Sequence, residues 1–271
     1  MTGQDAASAG DSPREEQLLG GTANRGLVVR VGDTVHRPQA EGSAAVHELL
    51  LHLEEVGFEG APRYLGADDQ GREVLSYIDG EVATVPYPAW AMADDALVSV
   101  ARLLRRYHAA ARTFSGSRHP WASSVPAAYR QGLVSHNDPN LDNIIFRDGE
   151  AVALIDFDLA SPGSALWDVA VAARLWVPLR DPVDVPDDRA RRTGDRLRLF
   201  ADAYELDPVD RSRLAEAATQ THGWCYDLVR AGAERGQPGF IHWVATGLAE
   251  HDERGRQWLA RHQRALREAL Q

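Results

Sequence analysis

The 271 residues are 44% hydrophobic and 25% charged, a balance that excludes disordered and fibrous classes and leaves one large domain or two lobes. Forty acidic residues against 29 basic ones give a net charge of −11, which disfavours nucleic acid and anionic membranes and draws in a cationic small molecule. The single cysteine, Cys225, excludes an internal disulfide framework, and without a long apolar run or an apolar leader the chain reads as a soluble cytoplasmic protein.

Residues 1–12, rich in Gly, Ala, Ser and Asp, read as a disordered tail. Short β-type runs follow at Gln17–Leu19, Leu27–Val31 and Thr34–Arg37, with a hairpin turn at Gly32-Asp33 and a stop at Pro38. A helix is expected from Ser43, as its cap, to Gly57, because Val46, Leu49, Leu50 and Leu53 recur at helical spacing. Two further strands, near Arg63–Leu65 and Glu73–Ile78, complete a β-β-β-α-β-β order. After Asp79-Gly80 a proline-rich connector leads to an amphipathic helix carrying Leu97, Val100, Leu104, Tyr107 and His108. A hairpin is expected from Ile144–Phe146 and Ala151–Ile155, turned at Arg147–Glu150; from about Ala165 the pattern is mostly helical.

The chemistry-bearing segment runs from Val134 to Phe146. Three of the chain's four asparagines, Asn137, Asn140 and Asn143, crowd into it, beside His136 and Asp138. Asp156, in Ile155-Asp156-Phe157-Asp158, follows thirteen residues after Asn143. Phosphoryl transfer to a hydroxyl asks for a carboxylate that orients the nucleophile and accepts its proton. Magnesium asks for hard oxygen ligands, and an Asn amide oxygen with a separate Asp carboxylate supplies them. The hairpin brings the two candidate ligands to neighbouring strand ends.

These residues, His136-x-Asp138-x-x-x-x-Asn143 and the later Asp156, resemble the catalytic loop and metal carboxylate of the aminoglycoside phosphotransferase family, which has the protein-kinase-like fold. The resemblance spans residues 15–180 and implies an α+β architecture: a small N-terminal β-sheet lobe with one helix, residues 13–79, and a larger, mainly helical C-terminal lobe, residues 80–271. It implies that Asp138 is the catalytic base, that Asn143 and Asp156 bind Mg2+, that His136 supports the loop, and that Asp168 braces it. ATP would lie between the lobes, with Gly20, Gly21, Thr22 and Asn24 of a glycine-rich turn near its phosphates and the Ser76 carbonyl and Ile78 N–H on adenine. The family's phosphate-binding lysine has no counterpart, because every basic residue is an arginine. Arg37 is the expected substitute, Arg30 the second choice, and its helix partner is His47 or Glu48.

The expected activity is therefore transfer of the ATP γ-phosphate to a hydroxyl of a small molecule. A cationic antibiotic such as an aminoglycoside comes first, a choline, homoserine or sugar-type metabolite second, and a catalytically weak nucleotide-binding module third. Among other residues, His108 reads as a packed core histidine, Asp142 as a loop cap and Asp158 as a supporting carboxylate. Glu250, Asp252 and Glu253 read as a solvated helix end, with reception of an amino-sugar as the alternative. Cys225 reads as packing.

Overall fold

A computed structural model describes residues 15–18, 27–185 and 187–271. The tail 1–12 and the candidate phosphate turn containing Gly20, Gly21, Thr22 and Asn24 lie outside the described residues.

The N-terminal sheet holds β1 (Glu15–Gln17), β2 (Val29–Val31), β3 (Thr34–Arg37), β4 (Tyr64–Ala67) and β5 (Glu73–Ser76), antiparallel in the order β1-β2-β3-β5-β4. Gly32, at φ +61°, makes the tight reversal between β2 and β3. The helix α1 (Ser43–Glu55) sits between β3 and β4 in the chain and buries Val46, Leu49, Leu50 and Leu53, as its spacing predicts. Its cap is Gly42, not Ser43, whose hydroxyl instead accepts the N–H of Ala40 at 2.9 Å. Gly57, at φ +74°, ends the helical run.

A second layer begins with α2 (Asp94–Ala111), which buries Leu97, Val100, Leu104 and Tyr107 completely. The Tyr107 hydroxyl donates to the Val134 carbonyl at 3.0 Å and so pins α2 to the segment that enters the 136–143 loop. That segment is β6 (Leu133–Ser135), and it pairs with β9 (Ser161–Gly163). Between them runs the hairpin β7 (Ile144–Arg147) and β8 (Glu150–Leu154). The two layers meet where Glu81 and Phe146 exchange backbone hydrogen bonds of 2.8 and 2.7 Å.

The rest is helical: α3 (Ala165–Trp176), α4 (Thr193–Tyr204), α5 (Pro208–Glu234), α6 (Pro238–Ala245) and α7 (Leu248–Ala269). Ser164 caps α3 by accepting the Trp167 N–H, and Asp207 caps α5 ahead of Pro208. Trp167, Trp176 and Trp258 are core residues. Among the described residues, no helix is long and apolar enough to cross a membrane.

Candidate active site

The loop that carries Asp138 is held by one carboxylate. Asp168, fully buried on the first turn of α3, accepts the backbone N–H of His136 at 2.7 Å and of Asn137 at 2.9 Å. It also contacts His108 Nε2 at 3.0 Å, while His108 Nδ1 meets the Tyr204 hydroxyl at 2.7 Å. His108 thus ties α2, α4 and the loop brace together, a role its apolar surroundings in the sequence conceal. Burial pushes the Asp168 carboxyl up, but the His108 hydrogen bond and nearby imidazoles outweigh it, so its pKa falls below the ordinary value.

His136 is buried and reads out its own tautomer. Nε2 donates to the Ile155 carbonyl at 3.0 Å, and Nδ1 accepts the Asp138 N–H at 3.3 Å. Burial lowers its pKa, so the ring is neutral at neutral pH and fastens the loop to the strand end before Asp156. Asn137 adopts φ +67°, stabilised by hydrogen bonds from its amide to Leu159 O and Ser161 Oγ. Trp176 Nε1 donates to Pro139 O at 2.9 Å.

On this support, Asp138 and Asn143 face each other. Asn143 Nδ2 donates to the Asp138 carbonyl at 3.0 Å and to its Oδ2 at 2.9 Å. The donor end of the amide is thereby committed, which leaves the Asn143 amide oxygen for a cation. Ile155 N–H bonds the Asn143 carbonyl at 2.9 Å, so Asn143 and Asp156 stand at the same end of the hairpin. Asp156 takes a left-handed backbone, φ +61° and ψ +69°. The Asp138 carboxyl is pushed up to about 7, first by burial and then by the charges of Asp156 and Asp142. The cap of the short 3-10 turn Leu141–Asn143 is Asn140, whose side chain accepts the Leu141 N–H. Asp142, expected to cap, is instead a half-buried carboxyl on the cavity wall.

Arg37 reaches this centre from the end of β3. Its Nε bonds Glu73 at 2.6 Å, Nη1 bonds Asp156 at 3.0 Å and Nη2 bonds Asp158 at 2.6 Å. Burial opposes its charge, but Asp158, Asp156 and Glu73 outweigh burial and raise its pKa. The partner on α1 is His47, which contacts the other Glu73 oxygen at 2.5 Å and stacks on Tyr64 at 3.7 Å. Glu48 faces elsewhere and accepts the Arg118 N–H. Arg30 lies apart, with its guanidinium over the Tyr77 ring. Glu73 was missed by sequence reasoning. Its signal was a charge opening a strand directly across from Arg37 in the β3–β5 register. Ser76 ends β5, where its N–H bonds Arg63 O, and Tyr77 N–H bonds Asp33 O, which places Ile78 just past the sheet.

Comparison with known proteins bears on this geometry. The model of the phosphotransferase enzyme family matches residues 121–200, which contain the loop, the hairpin, Asp156 and Asp168. A curated relative, the trifolitoxin immunity protein of Rhizobium leguminosarum bv. trifolii, is 34% identical over 207 residues, covering 72% of this chain and 75% of the relative. The chain belongs to the phosphotransferase enzyme family. The fold is that of aminoglycoside phosphotransferases and choline kinases. A choline/ethanolamine kinase family protein from Mesorhizobium loti aligns over 96% of this chain and 94% of its own, with TM-score 0.62 and 17% identity. The gentamicin complex of APH(2")-IIa aligns over 90% and 93%, with TM-score 0.59 and 16% identity. The GDP complex of wild-type aminoglycoside 2'-phosphotransferase-IIIa aligns over 94% and 95%, with TM-score 0.58 and 14% identity.

Beside Asp138 the phosphotransferase opens into a cavity of about 1310 Å³. Asp138, Asn143, Asp156 and Asp158 line it, together with Trp224, Cys225 and Trp243. The acidic stretch on α7 contributes little open charge. Asp252 is buried against His222 and Arg256, while Glu250 and Glu253 are exposed.

Proposed function

We propose that the protein transfers the γ-phosphoryl group of ATP to a hydroxyl of a small molecule. The observation that carries this reading is the Asp138–Asn143–Asp156 grouping at the mouth of a large cavity. Asp138 orients the acceptor hydroxyl and takes its proton as the new oxygen–phosphorus bond forms. The bond between the γ-phosphorus and the bridging oxygen breaks, and ADP leaves. A carboxyl whose pKa lies at about 7 is matched to that task near neutrality.

The Asn143 amide oxygen and the Asp156 carboxylate are the hard donors that would hold Mg2+, and they fit it because the Asn143 donor end is already spent on Asp138. When bound, the ion neutralises charge on the β- and γ-phosphates. Arg37 adds a fixed positive charge at the same end, held by Glu73 and His47. Ser76 C=O and Ile78 N–H are the groups proposed for adenine, in a nucleotide lobe of residues 13–79. Residues 80–271 then carry the catalytic loop and the acceptor cavity. Gly20, Gly21, Thr22 and Asn24 are proposed at the phosphates on the strength of the resemblance alone.

The relative's name attaches it to immunity against a toxin. That keeps toxin-type acceptors, aminoglycosides among them, in the test panel beside choline, homoserine and sugars. The test is ATP- and Mg2+-dependent phosphate transfer across that panel with wild type and Asp138→Ala. The variant is expected to lose about 10²–10⁴-fold in turnover with its fold intact. An unchanged rate overturns Asp138 as the base.

A further inference from the structure

The charge of the cavity is not the charge of the chain. Of the seven acidic residues that line it outside the catalytic centre, five stand in ion pairs and two, Glu41 and Asp142, do not. Asp184 is held by Arg254 at 2.7 Å and His251 at 3.3 Å. Asp187 is held in a two-point pair by Arg189, with both contacts at 2.8 Å. Asp252 is engaged by His222 and Arg256, Asp188 by Arg191, and Asp227 by Arg230.

Three arginines of the lining have no such partner among the described residues, the exposed Arg235 and the half-buried Arg174 and Arg180. Arg174, in the last turn of α3, and Arg180, just beyond it, make no ion pair with any carboxylate among the described residues. The buried Nε of Arg174 has no hydrogen-bond acceptor there, and neither does the buried Nη1 of Arg189, a residue only 8% exposed. The contact recorded for the Arg180 guanidinium is a long one, 3.5 Å, to the Arg174 carbonyl. Burial, and then the like charge of Arg174, pull the Arg180 pKa down to about 10, so it remains a cation at neutral pH. Arg174 also lies close enough to Asp138 to oppose the rise of its pKa.

Arg174 and Arg180 are half-buried on the cavity lining, and a buried guanidinium donor left without an acceptor is costly until an anion arrives to complete it. Their planar donor forks suit carboxylate and phosphate oxygens in two-point contact. We infer that the acceptor carries an oxyanion, a carboxylate or a phosphate, received by Arg174 and Arg180 on the wall of the cavity that also presents Asp138 to its hydroxyl. This inference rests on the kinase reading and sharpens it. The acceptor class moves from the cations that the net charge of −11 favours to hydroxylated anions.

The experiment is a binding titration that needs no turnover. Citrate and inorganic phosphate are titrated as anionic probes, and choline and gentamicin as cationic ones, at pH 7.5 and constant ionic strength. ADP and Mg2+ are present to fill the nucleotide side. Fluorescence of the cavity tryptophans Trp224 and Trp243 and thermal shift are the readouts. At least one anion is expected to saturate the wild type, with affinity at least tenfold weaker in Arg180→Met and in Arg174→Met. Arg180→Lys, which keeps the charge and loses the fork, is expected to fall between. Stronger citrate binding assigns a carboxylate, and stronger phosphate binding a phosphate. Saturation by the cations alone, no binding of either anion, or anion binding unchanged in folded Arg180→Met and Arg174→Met overturns the inference. Anion binding that persists in a protein transferring phosphate neither to that panel nor to hydroxylated carboxylates and sugar phosphates would instead count against the kinase reading.

Discussion

Asp138→Asn separates what this carboxyl does for chemistry from what it costs the fold. The Asp138 pKa rises from 3.8 to about 7 on folding, because burial and the neighbouring Asp156 and Asp142 disfavour its charge. A carboxyl raised in this way binds its proton more tightly in the folded state. It therefore withdraws stability as pH climbs from its unfolded value through its folded one. At about 1.36 kcal/mol per pH unit the full penalty is about 4 kcal/mol, and about 2–3 kcal/mol of it develops between pH 5 and pH 8. The asparagine has no charge to bury and can still accept from Asn143. Its stability relative to wild type should therefore grow by that amount over the interval, while transfer is lost. Urea unfolding at pH 5, 6, 7 and 8, with chelator present and nucleotide absent, measures it. A stability difference that stays flat with pH, or shrinks, would refute the assignment of Asp138 as a destabilised, buried carboxylate.

Asp168→Asn should destabilise the protein by about 1–3 kcal/mol, because an amide cannot accept from two backbone N–H groups and His108 as the carboxylate does. Since the native Asp168 pKa is depressed, its contribution holds above about pH 4 and fades as pH falls below that, so the Asn penalty should narrow in acid. Chemical denaturation at pH 7 and pH 3 is the check. Arg37→Met should cost about 3–5 kcal/mol at neutral pH by stripping buried Glu73 of its cation, and should also raise the KM for nucleotide. A melting temperature equal to wild type would show that the Arg37 network carries no net weight.

Legibility of the sequence followed the range of the interaction. The β-β-β-α-β-β order, the 144–154 hairpin and the stripe of α2 were readable because periodicity, turn residues and proline stops are local. The helix start misled: Ser43 has the chemistry of a cap, yet Gly42 takes the cap position and the serine hydroxyl turns back to Ala40. Asn140 and Asp142 both have capping chemistry, and only the fold shows which one accepts the N–H. His108 looked like packing because its partners, Asp168 and Tyr204, lie 60 and 96 residues away. Glu73 was hidden for the same reason, since a strand pairing 36 residues long in sequence is needed to set it beside Arg37. Net charge says least about the cavity. It sums the whole surface, whereas the cavity sets Arg174 and Arg180 among acids already neutralised by other arginines.

The reach of Arg37 makes a single side chain a latch across the crevice: its stem belongs to the small sheet, and two of its three carboxylate partners belong to the segment after the hairpin. In the proposed reaction a divalent ion at Asp156 would displace part of that latch, and a nucleotide phosphate would compete for the same guanidinium. Under that proposal cation and nucleotide would be thermodynamically linked through Arg37, each lowering the toll the other meets on entry.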